Sequence, residues 1–230
     1  MSLILGGIQS FTTIDYPGKM AAVFFCRGCP LRCPYCQNPS LQPISDVGFV
    51  DWEDARAFLR SRRNLLDAIV FSGGEPLVQK DLIPAVEEVR GYGFLTGLHT
   101  SGVNAEKLKN VLPFIDWVGF DVKAPFHAYD ARIPRSSGKT VEKSLETLAG
   151  SGVAFEARTT LDPRVVAPDE ILPLARCLAK KGVKHYAVQE YHSFPEEKDP
   201  PSKAETTAYF TTDALAGVED LFETFTVRRS

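Results

Sequence analysis

The sequence predicts an α/β fold, a partial (β/α)6 barrel of parallel strands, and three observations predict it. Six short, β-rich apolar runs recur along the chain. Segments of helical period, each with its own start signal, lie between them. The runs are apolar along most of their length, as suits a parallel sheet covered by helices, and six βα units are too few for the eight-stranded closed barrel.

Taken in order, the first run is "MAAVFF" at 20–25, and a helix follows in which Asp51 precedes Trp52, Ala55, Phe58 and Leu59. The run "DAIVF" at 67–71 leads to Asp81 ahead of Leu82, Ala85, Val86 and Val89, closed by Gly91. "FLTGLHT" at 94–100 precedes a helix started by Asn104 and carrying Leu108, Val111 and Leu112. "WVGFDVK" at 117–123 precedes one in which Thr140 stands before Val141, Leu145, Leu148 and Ala149. After "AFEARTTL" at 154–161, Pro168 opens a helix bearing Ile171, Leu174, Ala175 and Leu178, stopped by Gly182. "KHYAVQEY" at 184–191 is the last run; 192–205 reads as a loop, and a final helix is expected from about Ser202 to Phe225, with Glu205 placed for a capping box.

The 230 residues, 44% hydrophobic and 24% charged, suit one globular domain over 1–230, with 1–19 preceding the first core strand. No stretch reaches the roughly 18–20 uncharged apolar residues that cross a bilayer, and "MSLILGGIQS" lacks the basic start of a signal sequence, so a cytoplasmic protein without a membrane partner is expected. A net charge of −3 with no long basic run gives no attraction to nucleic acid.

Four of the five cysteines fall within "CRGCPLRCPYC" at 26–36. A structural zinc ribbon needs two ligand pairs about 12–20 residues apart, and these gaps are far shorter. Cys29, Cys33 and Cys36 are spaced to cap three irons of a [4Fe–4S] cubane and leave the fourth open. Cys26 is either a buried thiol at a strand end or a fourth ligand; the latter would make a closed electron-transfer centre. Cys177 sits on the apolar face of a helix and is expected in the core. In a parallel sheet the site gathers at the carboxyl ends of the strands, which here carry "SGGEP", "HTSGV", "DVKAP", "RTTLDP" and "EYHSF" besides the cysteines. Gly73 and Gly74 read as a tight turn or a cofactor cradle. Arg158, buried in its strand, needs a partner, either Glu156 or a cofactor carboxylate. Arg132, Arg135 and Lys139 read as solvated charges, with partner docking the lesser alternative.

The C-x3-C-x2-C motif with Tyr35 before its last cysteine, followed by Ser72-Gly73-Gly74-Glu75-Pro76, resembles the radical S-adenosylmethionine (SAM) enzymes. The resemblance implies a radical SAM barrel, in which SAM chelates the open iron through its amino and carboxylate groups and is cleaved reductively to a 5′-deoxyadenosyl radical. "GGIQSFTTIDYPGKM" and the Gln37-Asn38 that follows the cysteines are similar to the glycyl-radical activating enzymes, which include the activators of anaerobic ribonucleoside-triphosphate reductase and of pyruvate formate-lyase. It implies an oxidoreductase whose partner is a glycyl-radical enzyme, the anaerobic ribonucleotide reductase first, with flavodoxin or ferredoxin as electron donor. It also implies roles for residues. Tyr35 and Asn38 would contact the adenosine or cluster region; Ser72, Gly73, Gly74 and Glu75 the SAM ammonium. Thr100, Ser101, Asp121 and His192 would lie at the cofactor, and Lys123 would be a catalytic group there. Asp15, Gly18 and Lys19 would face the partner. His99 stands where the formate-lyase activator has Asp and so supplies no carboxylate for a monovalent cation; Tyr16 and Lys19 replace its Gly and Arg. A small-molecule radical enzyme such as 7-carboxy-7-deazaguanine synthase, and a non-catalytic iron–sulfur electron carrier, are the competing readings.

Overall fold

The computed structural model describes residues 3–194, 197–211 and 213–229. Among them eight strands form one sheet in chain order: β1 (Leu5–Thr12), β2 (Ala21–Cys26), β3 (Ala68–Gly73), β4 (Leu95–Thr100), β5 (Trp117–Asp121), β6 (Ala154–Leu161), β7 (His185–Glu190) and β8 (Thr224–Arg228). Strands β2 to β8 run parallel and β1 pairs antiparallel with β2. β1 and β8 are not neighbours, so the sheet stays open. The helices are α1 (Trp52–Arg62), α2 (Leu82–Gly91), α3 (Ala105–Val111), α4 (Tyr129–Arg132), α5 (Gly138–Ala149), α6 (Ile171–Lys180) and α7 (Lys203–Thr211). No helix among the described residues is long and apolar enough to cross a membrane.

The six expected runs are the six central strands, β2 to β7, and the sheet gains a strand at each edge. β1 lies in the segment read as merely preceding the core; its "LGGIQSFT" holds two glycines and little β-branched character, so it carries no strand pattern of its own. β8 replaces the end of the expected last helix, which stops at Thr211, because "TFTV" at 224–227 is aromatic and β-branched. The start of that helix is as expected: Ser202 N–H donates to Glu205 Oε2 at 2.8 Å and Glu205 N–H to Ser202 Oγ at 3.3 Å. Pro195 and Glu196 of the expected loop, and Thr212 of the expected helix, lie outside the described residues. Helix α5 begins two residues ahead of Thr140, where Asp130 Oδ1 accepts the Gly138 N–H at 2.8 Å.

Alternation along the strands separates two faces. Phe24, Ile69, Phe71, Leu98 and Phe120 are fully buried against the helices. Cys26 belongs to that layer, 0% exposed, and burial raises its thiol pKa. Cys177, expected in the core, is only half-buried and borders a cavity between α5 and α6 instead. The opposite, concave face is filled at the amino ends of the strands by Val23, Val70, Trp117 and Tyr16, the last reaching in from the chain before β2. Further along strands β3 to β7 the same face turns polar, with Ser72, His99, Asp121, Thr160 and Gln189.

Between β5 and α5 the chain makes a detour through α4. Arg132 is not the solvated charge expected from the sequence; it pairs with both oxygens of Glu170, at 2.5 and 2.9 Å, and donates to Val165 O at 3.0 Å. The detour closes tightly at Gly138, where a Cβ would lie 1.8 Å from the Phe126 carbonyl oxygen, backbone that cannot swing aside. Gly138→Ala is therefore expected to lose about 2–3 kcal/mol of stability, read as a lower thermal midpoint. Gly150→Ala, whose Cβ would meet Glu146 O at an ordinary 3.4 Å, should leave the midpoint unchanged or raise it.

Candidate active site

Strand β2 delivers the chain into a loop that folds back on itself. Gly28 N–H donates to Leu41 O at 2.7 Å and Cys29 N–H to Gln42 O at 3.0 Å, while Arg32 ties the interior through Cys29 O at 2.9 Å and Leu31 O at 2.7 Å. Within this loop Cys29, Cys33 and Cys36 all border one cavity of about 320 Å³ at the carboxyl ends of the strands. Burial pushes the Cys29 thiol up to about 11, and raises Cys33 against the opposing pull of Lys123. No three His, Cys, Asp or Glu side chains among the described residues are grouped to hold a metal ion at one point. Three thiols spread around a common cavity are a donor set for a multi-iron cluster rather than for a single ion.

The loop after β3 is locked to the cysteine loop through backbone. Gly74 N–H donates to Cys26 O and Glu75 N–H to Gly28 O, both at 2.8 Å. Gly73 has φ +96°, and a Cβ there would lie 2.8 Å from the Cys26 backbone; one on Gly74 would lie 2.4 Å from Gly28 O. The glycine pair is therefore required by the contact between two chains of backbone, whatever else it meets in the cavity.

Glu75 is 1% exposed and accepts four hydrogen bonds from its own chain. Oε1 takes Leu77 N–H at 3.0 Å and Thr100 Oγ–H at 2.6 Å; Oε2 takes Ser101 N–H at 2.9 Å and Ser101 Oγ–H at 2.6 Å. A carboxylate has about four lone-pair sites, so Glu75 fastens Thr100 and Ser101 to the loop after β3. On the next strand, Lys123 Nζ meets Asp121 Oδ2 at 3.1 Å. Burial alone would raise the Asp121 carboxyl, but Lys123 and Arg158 together hold it below its usual value; burial likewise opposes the Lys123 charge, and Asp121 outweighs it. Lys123 Nζ lies 5.8 Å from the centre of the Tyr35 ring. The buried Tyr35 hydroxyl has no hydrogen-bond partner among the described residues, an orphan that a ligand in the cavity could satisfy.

Cys29, Cys33, Cys36, Tyr35 and Asn38 all border the cavity, as do Ser72, Gly73, Gly74 and Glu75. So do Thr100, Ser101, Asp121, Lys123 and the rim residue His192. Four residues singled out from the sequence are elsewhere. Arg158 points along the concave face, donating to Glu156 at 3.0 Å with its guanidinium 5.0 Å above the Trp117 ring, in space left by Gly119. Asp15, Gly18 and Lys19 lie on the segment before β2, and Asp15 accepts from Thr12 Oγ–H at 2.6 Å. The cavity also takes in residues to which the sequence assigned no site role: Gln37, part of the motif after the cysteines, whose amide donates to His192 O at 2.6 Å, and Thr160 and Gln189. Thr160 is two residues past Arg158, and Gln189 two past Ala187, so the period of two along each strand could have found them.

His99 stands on the cavity floor, its Nε2 2.8 Å from Asp15 O and its Nδ1 3.3 Å from Ser72 Oγ. Burial, then the Arg158 guanidinium 3.2 Å away, lower its pKa from 6.5 to about 4. Below the ordinary value the unfolded chain binds a proton that the folded one refuses, so stability falls as the pH drops from about 6.5 towards about 4. His99→Gln should flatten that fall, checked by thermal midpoints at about pH 7.5 and about pH 5. Glu75→Gln meets a different obstacle. Whichever way the amide turns, its NH2 faces a backbone N–H, of Leu77 or of Ser101. A loss of about 2–3 kcal/mol in chemical denaturation is expected despite the unchanged shape.

Residues 23–163 match the Radical SAM superfamily. A Methanocaldococcus jannaschii protein provisionally named a glycyl-radical enzyme activating enzyme is 33% identical over 202 residues, covering 83% of this chain and 81% of that protein. Among solved structures, Streptococcus suis SuiB bound to S-adenosylmethionine is similar with a TM-score of 0.66 at 13% identity, over 88% of this chain and 48% of SuiB, so the chain spans about half of SuiB's length. QueE from Escherichia coli is similar with a TM-score of 0.60 at 17% identity, over 100% of this chain and 95% of QueE. At these identities the structural likeness is one of fold. The stretch matched to the superfamily begins within the strand that feeds the cysteine loop and ends just after the strand that bears Arg158, so it includes all three cavity thiols and the Glu75 network. This chain belongs to the radical SAM superfamily, whose members use a [4Fe–4S] cluster and S-adenosylmethionine.

Proposed function

We propose that this chain activates a glycyl-radical enzyme, an anaerobic ribonucleoside-triphosphate reductase or a close relative, by placing a radical on a glycine Cα of that partner. The observation that carries the reading is three thiols around one cavity with no fourth beside them among the described residues: Cys26 is turned into the helix-facing core, so a cubane held by Cys29, Cys33 and Cys36 keeps one iron for SAM. The archaeal relative's name supports a protein substrate. When bound there and reduced, the cluster would supply the one electron needed to cleave SAM to methionine and a 5′-deoxyadenosyl radical, the species that would take the glycine hydrogen atom.

The chain's own groups hold and orient. Lys123, kept charged by Asp121, offers a fixed cation to the methionine carboxylate. Glu75 has no acceptor site left over, so it acts through Thr100, Ser101 and the loop it fastens rather than as the direct partner of the ammonium. Tyr35, with its unpaired hydroxyl, and Asn38 serve the adenosine, and His192 on the rim joins them. Arg158, paired with Glu156 and packed against the Trp117 and His99 rings, supports the floor from behind. Asp15, Gly18 and Lys19 belong to the partner side, and a flavodoxin or ferredoxin supplies the electron.

Anaerobic reconstitution tests this reading. Cys29→Ala, Cys33→Ala and Cys36→Ala are each expected to lose the cluster's visible absorption, whereas Cys26→Ala retains it. The reconstituted, reduced protein should form 5′-deoxyadenosine from SAM and, beside a candidate reductase, a glycyl radical seen by electron paramagnetic resonance. Deoxyadenosine without a glycyl radical on any candidate would favour a small-molecule substrate. Loss of the cluster in Cys26→Ala, with a spectrum unmoved by SAM, would favour an electron carrier.

A further inference from the structure

His99 borders the cavity and also holds the segment 13–18 that closes the concave face from the amino ends of the strands. Its protonation pattern follows from its neighbours. The Asp15 carbonyl can only accept, so Nε2 carries the proton, and Nδ1 is an acceptor facing the Ser72 hydroxyl. Arg158 can only donate, so beside a protonated Nε2 its Nη1, 3.2 Å away, makes a charge contact rather than a hydrogen bond, and that positive charge disfavours a second proton on the ring. A hydrogen-bonded line therefore runs from Ser72 in the cavity wall, through a neutral imidazole, to the backbone of Asp15.

The far end of that line has few other holds. Tyr16 packs on Trp117 with ring centres 5.2 Å apart, and fits because Gly97 has no Cβ, which would lie 3.2 Å from Tyr16 Cδ2. Trp117 in turn meets the His99 ring edge-on at 5.7 Å. Ile14 is 75% exposed, and Pro17 and Gly18 are also exposed. Asp15 and Tyr16 thus anchor a segment whose remaining residues face solvent.

We propose that His99 is a positioning residue that couples occupancy of the cavity to the ordering of segment 13–18. A ligand that engages Ser72 or the imidazole face changes how strongly Nε2–H holds Asp15 O, because hydrogen bonds in series polarise one another. By linkage, whatever fastens the segment also favours the ligand. The coupling rests on the reading of this cavity as the SAM site, and it makes a surface on the partner side sensitive to the cofactor.

Amide hydrogen exchange of the peptide spanning 11–20, in the reconstituted protein with and without SAM, tests the coupling. In the wild type SAM should slow that exchange about fivefold or more. His99→Leu should exchange faster without SAM and lose the slowing. His99→Gln, whose amide N–H can still reach the Asp15 carbonyl, should recover part of the protection. Ser72→Ala, cut at the cavity end only, should exchange no more than slightly faster than the wild type without SAM, yet slow less with it; this variant carries the test if His99→Leu does not fold. No slowing in the wild type, or slowing in Ser72→Ala and His99→Leu as large as in the wild type, overturns the inference. Either result counts against the coupling whether or not deoxyadenosine forms, since deoxyadenosine formation tests the functional reading separately.

Discussion

The site depends on a contact between two pieces of backbone. The turn after β3 lies directly on the chain leaving β2, with Gly74 N–H on Cys26 O and Glu75 N–H on Gly28 O. Side chains cannot intervene there, which is why two glycines occupy 73 and 74. Because the two strands are paired in register up to Cys26 and Gly73, the contact fixes where the cysteine loop starts relative to Glu75. Glu75 then fixes Thr100 and Ser101 on the following strand. Three successive strand ends are thereby held as one piece, and three thiols on an irregular loop inherit the rigidity of the sheet.

Charge on the concave face is arranged by mutual pairing as well. Glu156 receives Arg158 at 3.0 Å and Arg228, from the edge strand β8, at 2.8 Å. Asp121 receives Lys123 one strand away. Buried charges persist only when paired, and here pairing also sorts them by task. Arg158 and Arg228 are committed to the wall behind the cavity, where Trp117 and His99 complete the packing. Lys123 remains at the cavity itself.

Much of this was legible in the chain because the local and global signals agree. The central strands are apolar and β-branched, and Asn104, whose side chain accepts Lys107 N–H at 2.9 Å, marks its helix as a cap residue should. The cysteine spacing and the glycine pair pointed to the cavity for chemical reasons that hold before any fold is known. What stayed hidden depends on partners distant in sequence. Nothing near Glu75 announces that Thr100 and Ser101 will use all its lone pairs, and nothing near Arg132 announces Glu170. β1 and β8 are edge strands, which need hydrophobic character on fewer sides, so composition alone does not distinguish them from loop or helix.

The open sheet has a topological consequence. A closed ring of strands admits a polymer to its interior only by threading, which requires a free end or a long flexible tail. A sheet whose first and last strands do not meet can receive a continuous polypeptide sideways, as a chain is laid into an open hook. For the activation proposed above, a residue deep in the middle of a folded partner would then need only a loop long enough to bend inward.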